Sequence, residues 1–374
     1  VEPVIRDFKE LKIGQEAPAF DLKGTDDRYH SLAEYQDSVL VVAFISNHCP
    51  TSIAVMPRML EWYKKVQSKG VKLVAINPNH PLGLRPDEYG YSEFDETFEH
   101  NKLFGKKYQF TFDYLYDGDQ QKVAKQYGCL ATPHFFVFNK NKKLVYKGRF
   151  DDSRFLDVNT VKSKDLEKAI DEVLSDKAVT VAETRPMGCT TKWQEKQLLV
   201  KEDEAFWEKE PVILETISAE NVKELRQNKT KKYRLINVWA SYCGPCVNEF
   251  PELVKTARKF ALRSFELVTI SLDDVNAKSE VKAFLEKQNV IVPKKILPTL
   301  KEEKRNGNSY IYSSVSIDAL AAELDLSWDG SVPFTMLIEP GGKVLFRQEG
   351  EIDGEVLRQK ILDVMGRTFD EKPN

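Results

Sequence analysis

Two kinds of apolar pattern alternate along this chain. Short, nearly continuous apolar runs read as strands buried on both faces, and longer stretches with apolar residues every three or four positions read as amphipathic helices. In the first half the pattern predicts a strand over 39–45, a helix over 50–69 and a strand over 71–76 that ends at Asn77-Pro78. This is one βαβ unit. The Pro/Gly/Tyr-rich stretch 78–90 reads as a loop insertion, followed by helices over 93–104 and 120–127. Residues 135–139 and 143–148 form a hairpin over Lys140-Asn141-Lys142, and a helix over 163–174 closes the half.

The second half repeats this order: a strand over 235–240, a helix from Pro245, a strand over 266–272, a helix over 279–288, a hairpin around Pro340-Gly341-Gly342 and a closing helix from Asp353. Alternating strands and helices with a terminal hairpin imply an α/β protein in which each half is a mixed β-sheet flanked by helices. The boundaries read as a domain over 1–180, a polar Lys/Glu-rich linker over 181–204 and a domain over 205–374. Trp193, Phe206 and Trp207 suggest that parts of the joining region pack down.

Composition adds exclusions. The 55 basic and 58 acidic residues are interspersed, so no basic surface marks a nucleic-acid partner. No apolar stretch approaches the length of a membrane span. The chain begins at Val1 instead of Met, which suggests a removed leader or a trimmed start, and a periplasmic or extracytoplasmic location is expected, with the cytoplasm left open. Five cysteines are too few for a disulfide scaffold.

The chemistry concentrates at Cys243-Gly244-Pro245-Cys246, where a buried strand runs into two thiols. Pro245 suits the first turn of a helix, and Cys243 then caps it, where amide groups and the helix dipole stabilise a thiolate. A zinc site would need a second ligand pair, and the sequence has no other C-x-x-C or C-x-x-H. A c-type haem site would need His where Val247 stands. A purely structural bridge over so short a loop removes little unfolded-state entropy. The pattern therefore points to redox chemistry that needs no cofactor.

The run from Trp239 through Tyr242 to Cys246, with Glu249-Phe250-Pro251 and the downstream Val332-Pro333-Phe334-Thr335, resembles the thioredoxin superfamily and its TlpA/ResA-like branch. The resemblance implies that Cys243 attacks a substrate disulfide, Cys246 resolves the mixed disulfide, and Pro333 is cis and shapes the groove. It implies Trp239, Tyr242 and Val332 as substrate contacts. Thioredoxin has a buried Asp where this chain has Asn237, so Glu249 is the candidate proton acceptor. The implied partners are disulfide-containing proteins and an upstream thiol electron donor.

The first half repeats the landmarks as Ser46-Asn47-His48-Cys49-Pro50 and Thr132-Pro133, with 84 positions from Cys49 to Pro133 against 87 from Cys246 to Pro333. It resembles the peroxiredoxin-like AhpC/TSA group. Two alignments of the loop are open. In one, Ser46 replaces the attacking cysteine of a dithiol, and the domain serves for docking or auxiliary redox, with Ser46 and Pro133 as substrate contacts. In the other, Cys49 is a peroxidatic cysteine and peroxide is a further partner, giving a fused thiol peroxidase. Val42 stands where the peroxiredoxin pattern has Pro, and no activating arginine is identified, so a poorly stabilised Cys49 thiolate is expected. A scaffold that only binds a client is the alternative from another class. Cys129 and Cys189 are candidate partners for Cys49 or buried free thiols. His48 is expected at the surface and His134 as structural.

Overall fold

The apolar runs form the centres of two separate sheets in a computed structural model of the protein, which describes residues 8–369. The chain divides into two compact units. Among the described residues, 8–85, 91–200 and 366–369 belong to the first, and 86–90 with 201–365 to the second.

The first unit contains β1 (Asp21–Gly24), β2 (Tyr29–Ser31), β3 (Val39–Phe44), β4 (Val71–Asn77), β5 (Asp113–Tyr116), β6 (Ala131–Thr132), β7 (His134–Phe138), β8 (Leu144–Gly148) and β9 (Cys189–Thr190). Its main sheet runs β2-β1-β5-β4-β3-β7-β8, with β3, β4 and β5 parallel and β7 and β8 antiparallel. Helices α1 (Pro50–Val66), α2 (Phe98–Lys107), α3 (Lys122–Tyr127) and α4 (Asp165–Leu174) cover it. Every residue of β3 is buried because alternate side chains enter different cores. Val39, Val41 and Ala43 meet Met56 of α1 and Ile170 of α4, whereas Leu40, Val42 and Phe44 meet Tyr127 of α3.

The second unit contains β10 (Leu214–Ile217), β11 (Tyr233–Trp239), β12 (Phe265–Ser271), β13 (Ser309–Tyr312), β14 (Phe334–Ile338) and β15 (Val344–Glu349), ordered β10-β13-β12-β11-β14-β15. The segment β5-β4-β3-β7-β8 of the first sheet recurs here as β13-β12-β11-β14-β15. Helix α5 (Gln197–Lys209) leads in, followed by α6 (Ala219–Gln227), α7 (Gly244–Lys259), α8 (Lys278–Lys287), α9 (Leu297–Glu302), α10 (Ile317–Leu324) and α11 (Gly354–Met365). The buried Arg234 of β11 is fully engaged. Its Nε donates to Glu266 Oε1 at 2.6 Å, Nη1 to the Leu225 carbonyl at 2.6 Å and Nη2 to Glu303 Oε2 at 2.7 Å. A buried ion network of this kind is tolerated only when its members are paired.

The expected α/β architecture is observed, and several short strands join it that periodicity missed. β1, β5 and β10 are four residues long, β1 and β10 with polar residues among the apolar ones and β5 with an apolar run of only three, too short for a period to show. The stretch 181–204 reads as a polar linker with parts that pack down, and the part around Trp193 does pack onto the first unit. β9 pairs antiparallel with β6, and Trp193 is buried among Leu40, Phe44 and Tyr127. One apolar ring outweighs the polar composition around it. No described helix is long and apolar enough to cross a membrane.

Trp193→Ala should therefore destabilise the first unit by about 3–5 kcal/mol, the usual cost of deleting a buried aromatic. Urea unfolding of the full chain, read by hydrogen exchange on β3 and β4, measures it. A cost below about 1 kcal/mol would mark the segment as a loose tether.

Candidate functional site

β11 runs buried to Trp239 and delivers the chain to an exposed turn. Asp273, just beyond β12, fixes that turn: its carboxylate accepts from Ser241 N–H at 2.9 Å, Ser241 Oγ at 2.5 Å and Ser271 Oγ at 2.6 Å. Cys243 is the N-cap of α7, with Pro245 in the first turn and the Cys246 N–H donating to Cys243 Sγ at 3.2 Å. Cys243 and Cys246 are joined in a disulfide with a Cα–Cα separation of 5.3 Å. Cys243 is half-buried and Cys246 fully buried. The Val332–Pro333 peptide is cis, and the Val332 carbonyl oxygen lies 3.6 Å from Cys243 Sγ. Tyr242, 75% exposed, stands at the rim.

One turn beyond Cys246 on α7, the buried Glu249 carboxylate accepts from Asn237 Nδ2 at 2.8 Å and from the Ile352 N–H at 2.9 Å. Asn237 Nδ2 also donates to Thr335 Oγ1 at 3.0 Å, which ties β11, β14 and α7 together at this point. Burial pushes the Glu249 carboxyl up to about 7 against the two hydrogen bonds, with the Glu351 charge adding to the rise. A carboxyl that exchanges its proton near neutrality suits proton transfer with a thiol.

In the first unit the same junction of strand, helix and cis-proline holds Cys49. It is the N-cap of α1, the Thr132–Pro133 peptide is cis, and Cys49 Sγ donates to the Thr132 carbonyl at 3.1 Å. β9 lies across this junction, with Cys189 opposite Thr132 in register and its N–H donating to Cys49 Sγ at 3.4 Å. Burial opposes ionisation of Cys49. The Cys189 side chain, the charge of His48 and the Ser52 and Cys189 amides outweigh it, and the pKa is lowered to about 5. His48 Nδ1 and N–H both lie against Glu96 Oε1, at 2.6 and 2.8 Å.

Residues 13–147 match the AhpC/TSA family, and residues 209–358 match the Redoxin family. The thiol-disulfide oxidoreductase ResA of Bacillus thuringiensis subsp. konkukian is 26% identical over 137 residues, 37% of this chain and 69% of that protein. The chain belongs to the thioredoxin superfamily. A second relative is the thiol:disulfide interchange protein DsbE of Allochromatium vinosum, 27% identical over 139 residues, 37% of this chain and 63% of that protein. Among solved structures, a hypothetical protein from Sinorhizobium meliloti is 34% identical with a TM-score of 0.44, covering 50% of this chain and 97% of its own. The similarity to the ResA thiol-disulfide oxidoreductases makes this member of the superfamily an oxidoreductase.

The structure gathers Cys243, Cys246, Val332 and Pro333 at one point, with Glu249 one helical turn away. Four expectations need correction. Trp239 is not a surface contact: its ring is fully buried against Phe250 and Phe284, at centroid distances of 4.5 and 5.0 Å, where it supports the turn from within. Ser46 and Pro133 are buried, and Ser46 Oγ is taken up by Thr132 Oγ1 at 2.9 Å, so neither is open to a substrate. His48 is buried beside Glu96 instead of exposed. The Cys49 thiolate is stabilised without an arginine, because amides, a thiol and His48 do that work. Sequence reasoning missed Asp273 and Glu96, whose partners lie 32 and 48 positions away. No local motif announces either. No group of three or more described His, Cys, Asp or Glu side chains could hold a metal ion.

Because the Glu249 pKa is higher in the folded chain than the usual carboxylate value, the fold binds more protons than the unfolded chain from about pH 4.5 to about 7, and stability falls as pH rises through that window. Glu249→Gln removes this loss. Denaturant midpoints of the two proteins should diverge from pH 5 to pH 8, with the variant gaining. A constant difference between them would rule out the raised pKa.

Proposed function

We propose that the protein is a thiol–disulfide oxidoreductase that reduces disulfides in partner proteins through the Cys243/Cys246 dithiol. The observation that carries this reading is the pairing of a half-exposed Cys243 at a helix N-terminus with a buried Cys246 behind it, beside the cis Val332–Pro333 carbonyl. An exposed sulfur at that terminus is the better nucleophile, and a shielded one is the better resolving group.

In the reduced protein the Cys243 thiolate attacks one sulfur of the partner disulfide, and the partner's other sulfur leaves as a thiolate and takes a proton. Glu249, as carboxylate, accepts the Cys246 proton. The Cys246 thiolate then attacks Cys243 Sγ, re-forms the intramolecular disulfide and releases the second partner thiol. Two electrons pass from the dithiol to the partner, and an upstream thiol donor resets the site. Tyr242 and Val332 form the rim against which the partner chain lies. The first unit is auxiliary in this reading and docks the partner or lends a further redox step. A location outside the cytoplasm fits, since disulfides persist there.

With dithiothreitol as electron source, the protein should reduce insulin disulfides, and Cys243→Ser should lower the rate to the uncatalysed background. Equal rates for the two proteins would refute the assignment. Alkylation of the reduced protein at mildly acidic pH, followed by peptide mapping, should label Cys243 before Cys246, since a free thiol of pKa roughly 8.5 is unreactive there. The reverse order would exchange the two roles.

A further inference from the structure

The thiols of the first unit lie outside the chemistry of the Cys243/Cys246 dithiol, yet their surroundings are specific. Cys49 is fully buried and Cys189 half-buried, 140 positions apart in sequence. The strand pair β6–β9 sets Cys189 opposite Thr132, and both residues touch the Cys49 sulfur, one through its amide and the other through its carbonyl. The approach depends on Gly188: a Cβ there would fall 1.9 Å from the Thr132 carbonyl oxygen. On the other side the segment is anchored by Thr191 Oγ1 donating to the Cys129 carbonyl at 2.9 Å, by the Lys192 amide on Asn79 Oδ1 at 2.8 Å, and by the buried Trp193. The chain thus carries Cys189 to Cys49 with a glycine on one side and three attachments on the other.

Cys129 is close in the fold but unsuited to pairing. Its sulfur lies 3.4 Å from both the Ala131 carbonyl and Thr191 Oγ1, and burial pushes its pKa up to about 12. The Cys49 thiol is shifted the opposite way, toward the thiolate, so the two buried cysteines differ in kind.

We propose that Cys49 and Cys189 form a second redox-active thiol pair, which closes into a disulfide by exchange with a small linear disulfide of the glutathione type. Small size follows from access: Cys49 has no exposed surface and Cys189 only part of its own. Cys189 loses its proton to solvent and attacks the incoming disulfide, one half of which leaves as a thiolate and is protonated. The Cys49 thiolate then attacks Cys189 Sγ, and the second half leaves as a thiolate and takes a proton from solvent. Two protein thiols are oxidised, one small disulfide is reduced to two thiols, and no other reactant is needed.

The test uses full-length Cys243→Ala/Cys246→Ala protein, so that it does not depend on the dithiol. The reduced protein is equilibrated with glutathione buffers of rising oxidised share, acid-quenched, alkylated and mapped by mass spectrometry. A peptide linking Cys49 to Cys189 should accumulate while Cys129 stays alkylatable. Persistence of both as separate thiols or glutathione adducts, or a Cys49–Cys129 link, would overturn the pair. The order of attack is read from two further variants in the same background. Cys49→Ser should hold glutathione stably on Cys189, and Cys189→Ser should slow glutathione attachment to Cys49 at least tenfold; undiminished attachment to Cys49 would reject Cys189 as the entry point.

Discussion

Both units depend on one arrangement: a sulfur lodged between the amino terminus of a helix and the carbonyl that precedes a cis proline. The amides and the positive end of the dipole favour a thiolate, whereas the carbonyl favours a thiol, so the sulfur is held where small changes decide its charge. Sheet topology makes the arrangement possible. β7 and β14 run antiparallel beside β3 and β11, and their registers set Phe44 opposite His134 and Val238 opposite Phe334. The proline loops therefore begin where the central strands end. Were either hairpin to slip by one residue, every side chain would change face and the loop would leave the sulfur.

The two units use the same junction to opposite ends. In the second, the outer sulfur is half-exposed and the rim is open, with Tyr242 standing into solvent. In the first, the chain folds back over the junction, and a two-stranded ladder occupies the backbone edge beside the proline. The first sulfur is then surrounded by the protein's own groups. Its acidity comes from neighbours contributed by three places: β9, the preceding histidine and its own helix.

The sequence reveals the junctions better than it reveals their surroundings. Continuous apolar runs at β3 and β11, the cysteines after them and the two X-Pro sites are local signals, and the repeat between the halves followed from their spacing. Glu249 was legible because it lies on the same helix as the dithiol. Strands of four residues are too short for a period to be detected, and β1, β5 and β10 were missed for that reason. Trp239 and His48 were misjudged because adjacency to a reactive residue says nothing about which side of the chain faces water. In the segment 181–204 Trp193 signalled packing against the polar composition around it, but not where the segment packs, which long-range pairing with β6 decides.

The absence of exposed surface at Cys49 has a consequence for chemical damage. Reactive cysteines are lost when sulfenic acid is oxidised further to sulfinic and sulfonic acids, each step adding an oxygen atom. The Cys49 sulfur is bounded by the Thr132 carbonyl on one side and the Cys189 amide on the other, at 3.1 and 3.4 Å. An oxygen added on either of these two sides would have to displace the contact there. The cover that hides this sulfur from solvent thereby works against its irreversible oxidation.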